Sequence, residues 1–240
     1  MRATFAVLLA ATLGLGGCVA TPPTPTSSGP PVPVGPVPDR VTPDTAAANF
    51  RSAVGRVEPV AEQLCRRRTT GMNCDFLIRI DPNRNAPPNA FQSLGPGGRP
   101  VLTFTQALIA DTRNGDEIAF VVGHEAAHHI EGHIARQRQS AATGAILGGL
   151  VGTIAGGDAS VVDGLSRAGA TVGARRFSKE HELEADALGT VITQAAGYDP
   201  VRGAAYFTRI PDPGDRFLGT HPPNADRIAT VRRVAAGGAF

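Results

Sequence analysis

The chain has 240 residues, 42% of them hydrophobic, which is enough for one domain with a buried core and favours one domain over two. Its formal net charge is +2, so the composition gives no electrostatic basis for binding nucleic acid or an acidic partner. Tryptophan is absent and aromatic residues make up 5% of the chain, which argues against platforms that stack bases or sugars.

The amino terminus has the pattern of an export signal. Arg2 precedes an apolar run from Ala3 to Gly17, which is shorter than the roughly 20 residues of a membrane-spanning helix. The small residues before Cys18 resemble the bacterial lipobox, in which the cysteine is acylated. Val19 follows instead of an aspartate, which favours the outer membrane. We therefore predict a signal peptide (1–17) and a lipid anchor at Cys18, facing the periplasm; an ordinary signal peptide is the alternative.

The next segment, residues 18–43, holds nine of the 20 prolines and shows no hydrophobic period. Such a segment cannot bury a core, so we predict an extended tether that rises about 3.1 Å per residue. A docking ligand for a proline-binding module is the alternative. The folded domain is predicted to cover residues 44–240.

A helix is predicted at the start of this domain, over residues 44–67, with a bend near Pro59. Its apolar residues have helical spacing: Phe50, Val54, Val57, Ala61 and Leu64. Cys65 and Cys74 are the two cysteines besides Cys18. Because export leads to an oxidising compartment, we predict a disulfide between them rather than a metal site.

Two β-branched stretches, residues 75–81 and 99–105, predict strands, and the residues between them are expected to form turns. We take residues 101–105 as a candidate edge to which an extended peptide adds as a further strand. A helix is predicted from Asn114, its cap, to about Arg138.

A stretch rich in glycine and alanine, residues 140–174, is too short and too rich in glycine to span a bilayer. We expect closely packed helices here; a mobile, membrane-touching lid over a cleft is the alternative. A further helix is predicted over residues 178–197. The fold class is therefore predicted to be α+β, mainly helical, with a small β-sheet.

Four of the six histidines lie between His124 and His133. His124 and His128 are four residues apart and face the same way on a helix, and Glu125 lies one step round. This is the HExxH pattern, in which two imidazoles bind zinc and the glutamate acts as a general base. A pH sensor and a satisfied structural pair are the alternatives. On a continuous helix, His129 points away and His133 projects about 180° from His124, as a packing or hydrogen-bonding residue.

A third ligand must come from elsewhere, and the sequence EHELEAD (180–186) offers carboxylates on a second helix. Glu182 and Asp186 are four residues apart and share a face. One carboxylate can therefore bind the ion while the other accepts the N–H of a ligating histidine. Glu180 and Glu184 are expected to be solvated.

Three motifs, HEAAHHIEGH, HELEADALG and THPPNADRI, occur in this order. They resemble the gluzincin metallopeptidases related to the CAAX prenyl protease. More particularly, they resemble the bacterial periplasmic lipoprotein members of that family, which act in outer-membrane protein quality control. The resemblance covers residues 44 to the C-terminus and implies a zincin-like domain with one zinc ion per chain.

The resemblance also implies roles for individual residues. The implied zinc ligands are His124, His128 and Glu182. Glu125 matches the catalytic base, and Asp186 matches a residue that supports a ligand from behind. His221 matches a histidine that stabilises the transition state or caps the zinc in a latent form. Arg227 matches an arginine with a structural or substrate-orienting role.

We therefore expect a zinc metalloendopeptidase that is lipid-anchored at the periplasmic face of the outer membrane. Its expected substrates are misfolded or unstructured envelope polypeptides. Two alternatives remain open. One is a zinc-capped, largely latent chaperone or assembly factor of the outer membrane, and the other is a zinc ion that serves only as a structural clip.

Overall fold

The computed structural model describes residues 40–176, 178–212, 214 and 222–239. The predicted signal peptide, Cys18, residues 19–39 of the tether, and His221 lie outside the described residues. The helices are α1 (Pro43–Arg68), α2 (Gln106–Asp111), α3 (Gly115–Ile130), α4 (His133–Ile154), α5 (Ala159–Arg176), α6 (Ser178–Ala195), α7 (Pro200–Gly203) and α8 (Asn224–Ala235). The strands are β1 (Leu77–Ile80), β2 (Ala90–Leu94) and β3 (Pro100–Phe104).

The first helix, α1, confirms the predicted amphipathic pattern. The Thr42 side chain caps it by accepting a hydrogen bond from the Thr45 N–H at 3.2 Å. One face is buried in the core: Ala46, Phe50, Ala53, Val57, Ala61 and Cys65. The predicted disulfide is present and joins Cys65 near the end of α1 to Cys74, with the two Cα atoms 5.8 Å apart.

The sheet has three strands in the order β1-β3-β2. Strand β3 is central and buried along its whole length, because it pairs in parallel with β1 and antiparallel with β2. The prediction that residues 101–105 form an accepting edge is therefore wrong. Strand β2, which we had expected to be turns, lies at an edge of the sheet instead.

The HExxH helix is shorter than predicted. Helix α3 ends at Ile130, and Gly132 adopts a left-handed conformation with φ of 68°. Because glycine has no Cβ, it takes this conformation at no steric cost. The chain therefore turns at Gly132, and α4 begins at His133 in a new direction.

Helices α4 and α5 form a hairpin held together by glycines, which confirms the expected packed helices. A Cβ at Gly144 would overlap the carbonyl oxygen of Gly169, and one at Gly148 would overlap that of Leu165. The large apolar side chains of α4 point outward: Ile146, Leu147, Leu150, Val151 and Ile154. Across the described part of the chain, no helix is both long enough and apolar enough to cross a membrane.

The hydrophobic core lies between the helices and beneath the sheet. Its side chains come from α1, β3, α2, α3, α6, α8 and the segment after α7, and include Phe50, Phe104, Ile118, Phe120, Leu188, Ile192, Phe207 and Val231. The predicted fold class, mainly helical with a small sheet, is confirmed. Helices α3 and α6 cross within this core, and their crossing positions the candidate site.

Candidate active site

The start of α3 is fixed by side chains of its first turn. Asn114 caps the helix by accepting hydrogen bonds at 3.0 Å from the N–H groups of Asp116 and Glu117. The buried carboxylate of Glu117 reaches back to the Arg113 N–H at 2.7 Å and accepts two bonds from Arg209. These bonds set the position and direction of the helix that carries the histidines.

Two glycines let α6 approach α3 closely. A Cβ on Gly189 of α6 would lie 3.0 Å from both the Cα and the N of His124. A Cβ on Gly123 of α3 would lie 2.9 Å from Oγ1 of Thr193. Since the helix backbones nearly touch at this point, Glu182, about two turns before Gly189, comes beside the histidines.

Three metal-ligating side chains converge next to this crossing. The Nε2 atoms of His124 and His128 are 3.0 Å apart. The Glu182 carboxylate lies 3.6 Å from Nε2 of His124 and 3.4 Å from Nε2 of His128. One ligand atom from each of the three residues therefore lies within 4.8 Å of the others. The structure brings together the three residues that the sequence selected.

The donor set fits a divalent cation such as zinc. Two imidazole nitrogens and one carboxylate are a ligand set of catalytic zinc sites, which leave one position open. The surroundings of His124 are strongly negative: burial lowers its pKa, but the carboxylates of Asp186 and Glu182 outweigh burial and raise it to about 10. Such a site stabilises a positive charge at this nitrogen cluster.

Asp186 contacts the side of the His124 ring that faces away from His128, where the family resemblance implies a supporting residue. The Nδ1–H of His124 donates to Asp186 at 2.9 Å. Arg227 binds both carboxylate oxygens of Asp186, at 2.8 and 2.7 Å, and its guanidinium lies 3.9 Å from the centre of the Phe207 ring. Burial raises the pKa of Asp186, but the opposing effect of Arg227 and His124 is larger. The pKa is therefore below its usual value, and the carboxyl is ionised.

A cleft of about 690 Å³ opens over the cluster. Glu125 lines this cleft together with the two histidines and Glu182. One part of its lining comes from β2 and the residues before it, including Asn89, Ala90, Phe91 and Gln92. Other apolar side chains also line it: Leu108, Phe120, Val121, Tyr206, Phe207 and Ile210. The arrangement places an acid–base group and a metal-ligand cluster in a space large enough for a segment of polypeptide.

Comparison with known proteins agrees with this geometry. Residues 60–235 match peptidase family M48. The chain belongs to this family. The expectation of a gluzincin-type metallopeptidase is confirmed at the level of the family.

Several curated relatives are similar to this M48 domain. The putative beta-barrel assembly-enhancing protease of Vibrio cholerae serotype O1 is 30% identical over 174 residues, which cover 67% of this chain and 34% of that protein. The beta-barrel assembly-enhancing protease of Yersinia pestis is 33% identical over 162 residues, which cover 61% of this chain and 32% of that protein. The mitochondrial metalloendopeptidase OMA1 of Saccharomyces cerevisiae is 29% identical over 176 residues, which cover 68% of this chain and 47% of that protein. The chain therefore spans about a third to a half of the length of these relatives.

Two further histidines for which the sequence made predictions are His129 and His221. His129 points away from the cluster, as expected; its Nε2 donates to the Asn73 carbonyl at 2.7 Å and its ring meets the edge of Phe76. His221 lies outside the described residues.

His133 contradicts the continuous-helix prediction, since its Nδ1 lies 2.7 Å from Nδ1 of His128. The break at Gly132 brings it there. Burial lowers the pKa of His133 to about 3, so its ring is neutral.

Sequence reasoning also missed Glu184. We expected it to be solvated, but it accepts a hydrogen bond from Nε2 of His133 at 2.9 Å and is bound by Arg136. Burial raises the pKa of Glu184, whereas Arg136 and His133 together lower it more. The contact between His133 and Glu184 depends on the break at Gly132, which directs His133 towards α6.

Proposed function

We propose that this chain is a membrane-anchored zinc metalloendopeptidase that hydrolyses peptide bonds in misfolded or unstructured proteins of the cell envelope. The observation that carries the proposal is the convergence of His124, His128 and Glu182 beside Glu125 in an open cleft. Membership of peptidase family M48 supports the same reaction class.

In this proposal the two histidines and Glu182 hold one zinc ion. A zinc ion bound there supplies a Lewis acid that polarises a peptide carbonyl and acidifies a water molecule. Glu125 accepts the proton of the attacking water and delivers it to the nitrogen of the leaving amine. Asp186, fixed by Arg227, keeps the ring of His124 oriented with its Nε2 free.

The substrate class follows from the position of β2. This strand lies at an edge of the sheet and lines the cleft. An extended peptide can pair with such an edge through main-chain hydrogen bonds, which requires an unfolded backbone. Selection of unstructured polypeptides is therefore the specificity that we propose, and two relatives bear names that refer to beta-barrel assembly.

The proposed location rests on the sequence. Residues 1–17 have the pattern of a signal peptide, and Cys18 is the proposed site of lipidation. The disulfide between Cys65 and Cys74 suits an oxidising compartment such as the periplasm. We therefore propose the periplasmic face of the outer membrane, with residues 18–43 as the tether between the lipid and the peptidase domain.

Degradation of unfolded casein by the purified chain tests the activity. The Glu125→Gln variant is expected to lose activity by a factor of roughly 10² to 10⁴, because the amide cannot accept a proton. Glu180→Gln is the matched control, since Glu180 is exposed on α6 and should keep the wild-type rate. Wild-type activity in Glu125→Gln would contradict the proposed base.

We propose His221 as the second catalytic residue. As a donor to the developing oxyanion, it contributes about 3 kcal/mol to lowering the barrier. His221→Ala is then expected to lower the rate of casein cleavage, whereas a gain in rate would show that this histidine caps the zinc in a latent protein.

A further inference from the structure

A chain of polar side chains extends behind His128, separate from the one behind His124. The Nδ1 atoms of His128 and His133 are 2.7 Å apart, and Nε2 of His133 lies 2.9 Å from the Glu184 carboxylate. Arg136 binds both oxygens of Glu184 from the solvent side, with its Nη2 at 3.2 Å from Oε1. Two side chains, His133 and Glu184, therefore connect the proposed metal ligand His128 to the partly exposed Arg136.

Only one arrangement of protons satisfies every contact in this chain when His128 is a metal ligand. A contact between two Nδ1 atoms at 2.7 Å holds one proton. If Nε2 of His128 binds the ion, the proton of this neutral imidazole is on Nδ1 and is donated to His133. The single proton of His133 is then on Nε2, from which it is donated to Glu184.

The ring of His133 is also held in place sterically. It is 5% exposed, and the His181 ring stacks on it with centroids 4.4 Å apart and planes 14° apart. Because His133 is the first residue of α4, the left-handed turn at Gly132 determines where this ring lies. The turn at Gly132 and the stacked His181 ring therefore determine where the His133 ring lies.

We propose that His133 is a positioning residue of the metal centre, which fixes the tautomer and ring orientation of His128 through Glu184 and Arg136. This inference rests on the proposed function, in which His128 binds zinc. The two ligating histidines are then supported in parallel. Asp186 and Arg227 hold His124 directly, whereas Glu184 and Arg136 hold His128 through an intervening imidazole.

Zinc affinity tests this role. The apo protein is titrated with zinc in competition with a chromophoric chelator, and the thermal midpoint of the apo form reports on the fold. His133→Phe keeps the ring and removes the acceptor, so zinc affinity is expected to fall about 10- to 100-fold. His133→Asn keeps an acceptor close to the Nδ1 position and is expected to bind zinc with an affinity between those of the wild type and His133→Phe.

His129→Phe is the matched control, because His129 is also buried but donates to the Asn73 carbonyl instead of contacting His128. Its zinc affinity is expected to equal that of the wild type. Glu184→Ala provides a second variant that does not depend on a buried substitution, since its side chain is 39% exposed. It is expected to weaken zinc binding in the same direction.

The outcomes separate this inference from the proposed function. A folded His133→Phe or Glu184→Ala protein that binds zinc as tightly as the His129→Phe control overturns the positioning role and leaves the peptidase proposal intact. A wild-type chain that binds no zinc overturns both.

Discussion

At the scale of single residues, a buried carboxylate holds the histidine helix at its starting point. Glu117 is 1% exposed and accepts hydrogen bonds from Arg209 at 2.7 and 2.6 Å. Its second role, accepting a bond from the Arg113 N–H, extends the cap of α3 by one residue. This carboxylate is therefore a buried partner of Arg209, and removing the guanidinium is costly.

Arg209→Met is expected to destabilise the protein by about 3 kcal/mol, because it removes the guanidinium that pairs with the buried carboxylate of Glu117. Chemical denaturation measures this difference. Arg202→Met is the matched control: Arg202 pairs with Asp116 of the same helical turn at 3.3 Å but is 62% exposed, and its loss is expected to cost less than about 1 kcal/mol. Equal losses in the two variants would contradict the importance of burial.

At the scale of secondary-structure elements, the site depends on how closely α3 and α6 cross. The two helices supply all three proposed ligands, and Gly123 and Gly189 occupy the point of contact. Any increase in the distance between the helix axes moves Glu182 away from both imidazoles. Residues outside the proposed ligand set therefore determine how close the proposed ligands lie to one another.

Gly189→Ala tests this dependence. The added methyl group would lie 3.0 Å from the backbone of His124, so α6 is expected to shift, with a loss of about 1–3 kcal/mol in stability and weaker zinc binding. The control is Gly55→Ala in α1, where a Cβ meets nothing within 4 Å. That substitution is expected to stabilise the protein by roughly 0.5–1 kcal/mol, because alanine favours helix more than glycine does. Unchanged zinc affinity in Gly189→Ala would contradict this account.

Elements with a strong local pattern were predicted from the sequence. The apolar spacing of α1, the Asn114 cap of α3 and the sequence of α6 each follow from neighbouring residues, and the structure confirms all three. Helical spacing places His124 with His128 on one face and Glu182 with Asp186 on another, and the family resemblance implies Glu182 as the third ligand; the structure brings His124, His128 and Glu182 together.

Features that depend on distant contacts were not predicted. Strand β2 has a short, mixed sequence and exists because β3 pairs with it across 5 residues of register. The break before α4 depends on the conformation of Gly132, which a single letter does not reveal inside a helical pattern. His133 is a hydrogen-bonding residue as predicted, but the break directs it to His128 and Glu184, so its predicted direction and the predicted solvation of Glu184 are wrong.

At the scale of the whole molecule, the proposed metal ligands lie beside a large apolar core. The largest buried apolar side chains come from several helices and the sheet, and they pack with one another: Leu102, Phe104, Ile118, Phe120, Leu188 and Ile192. The disulfide provides a further constraint at the end of α1. We therefore expect the stability of the domain to depend little on occupancy of the proposed metal site.

Removal of the metal is expected to abolish casein cleavage without unfolding the protein. After chelation, the far-UV circular dichroism spectrum should be unchanged. The thermal midpoint should fall only by the stabilisation that zinc binding to the folded state had provided. Readdition of zinc is expected to restore casein cleavage. Loss of cooperative unfolding in the chelated protein would instead show that the ion is a structural clip.

In the α4–α5 hairpin, glycines form the contact between the helices, whereas the large apolar side chains are exposed. Its two helices meet through glycine backbone, so bulky residues such as Ile146 (72% exposed) and Ile154 (78% exposed) do not hold the pair together. Polar replacements at these positions leave the hairpin intact, whereas a single methyl group at Gly148 forces it apart. The outward side chains of this segment are thus expected to tolerate substitution, whereas Gly144, Gly148 and Gly169 at the helix contact are not.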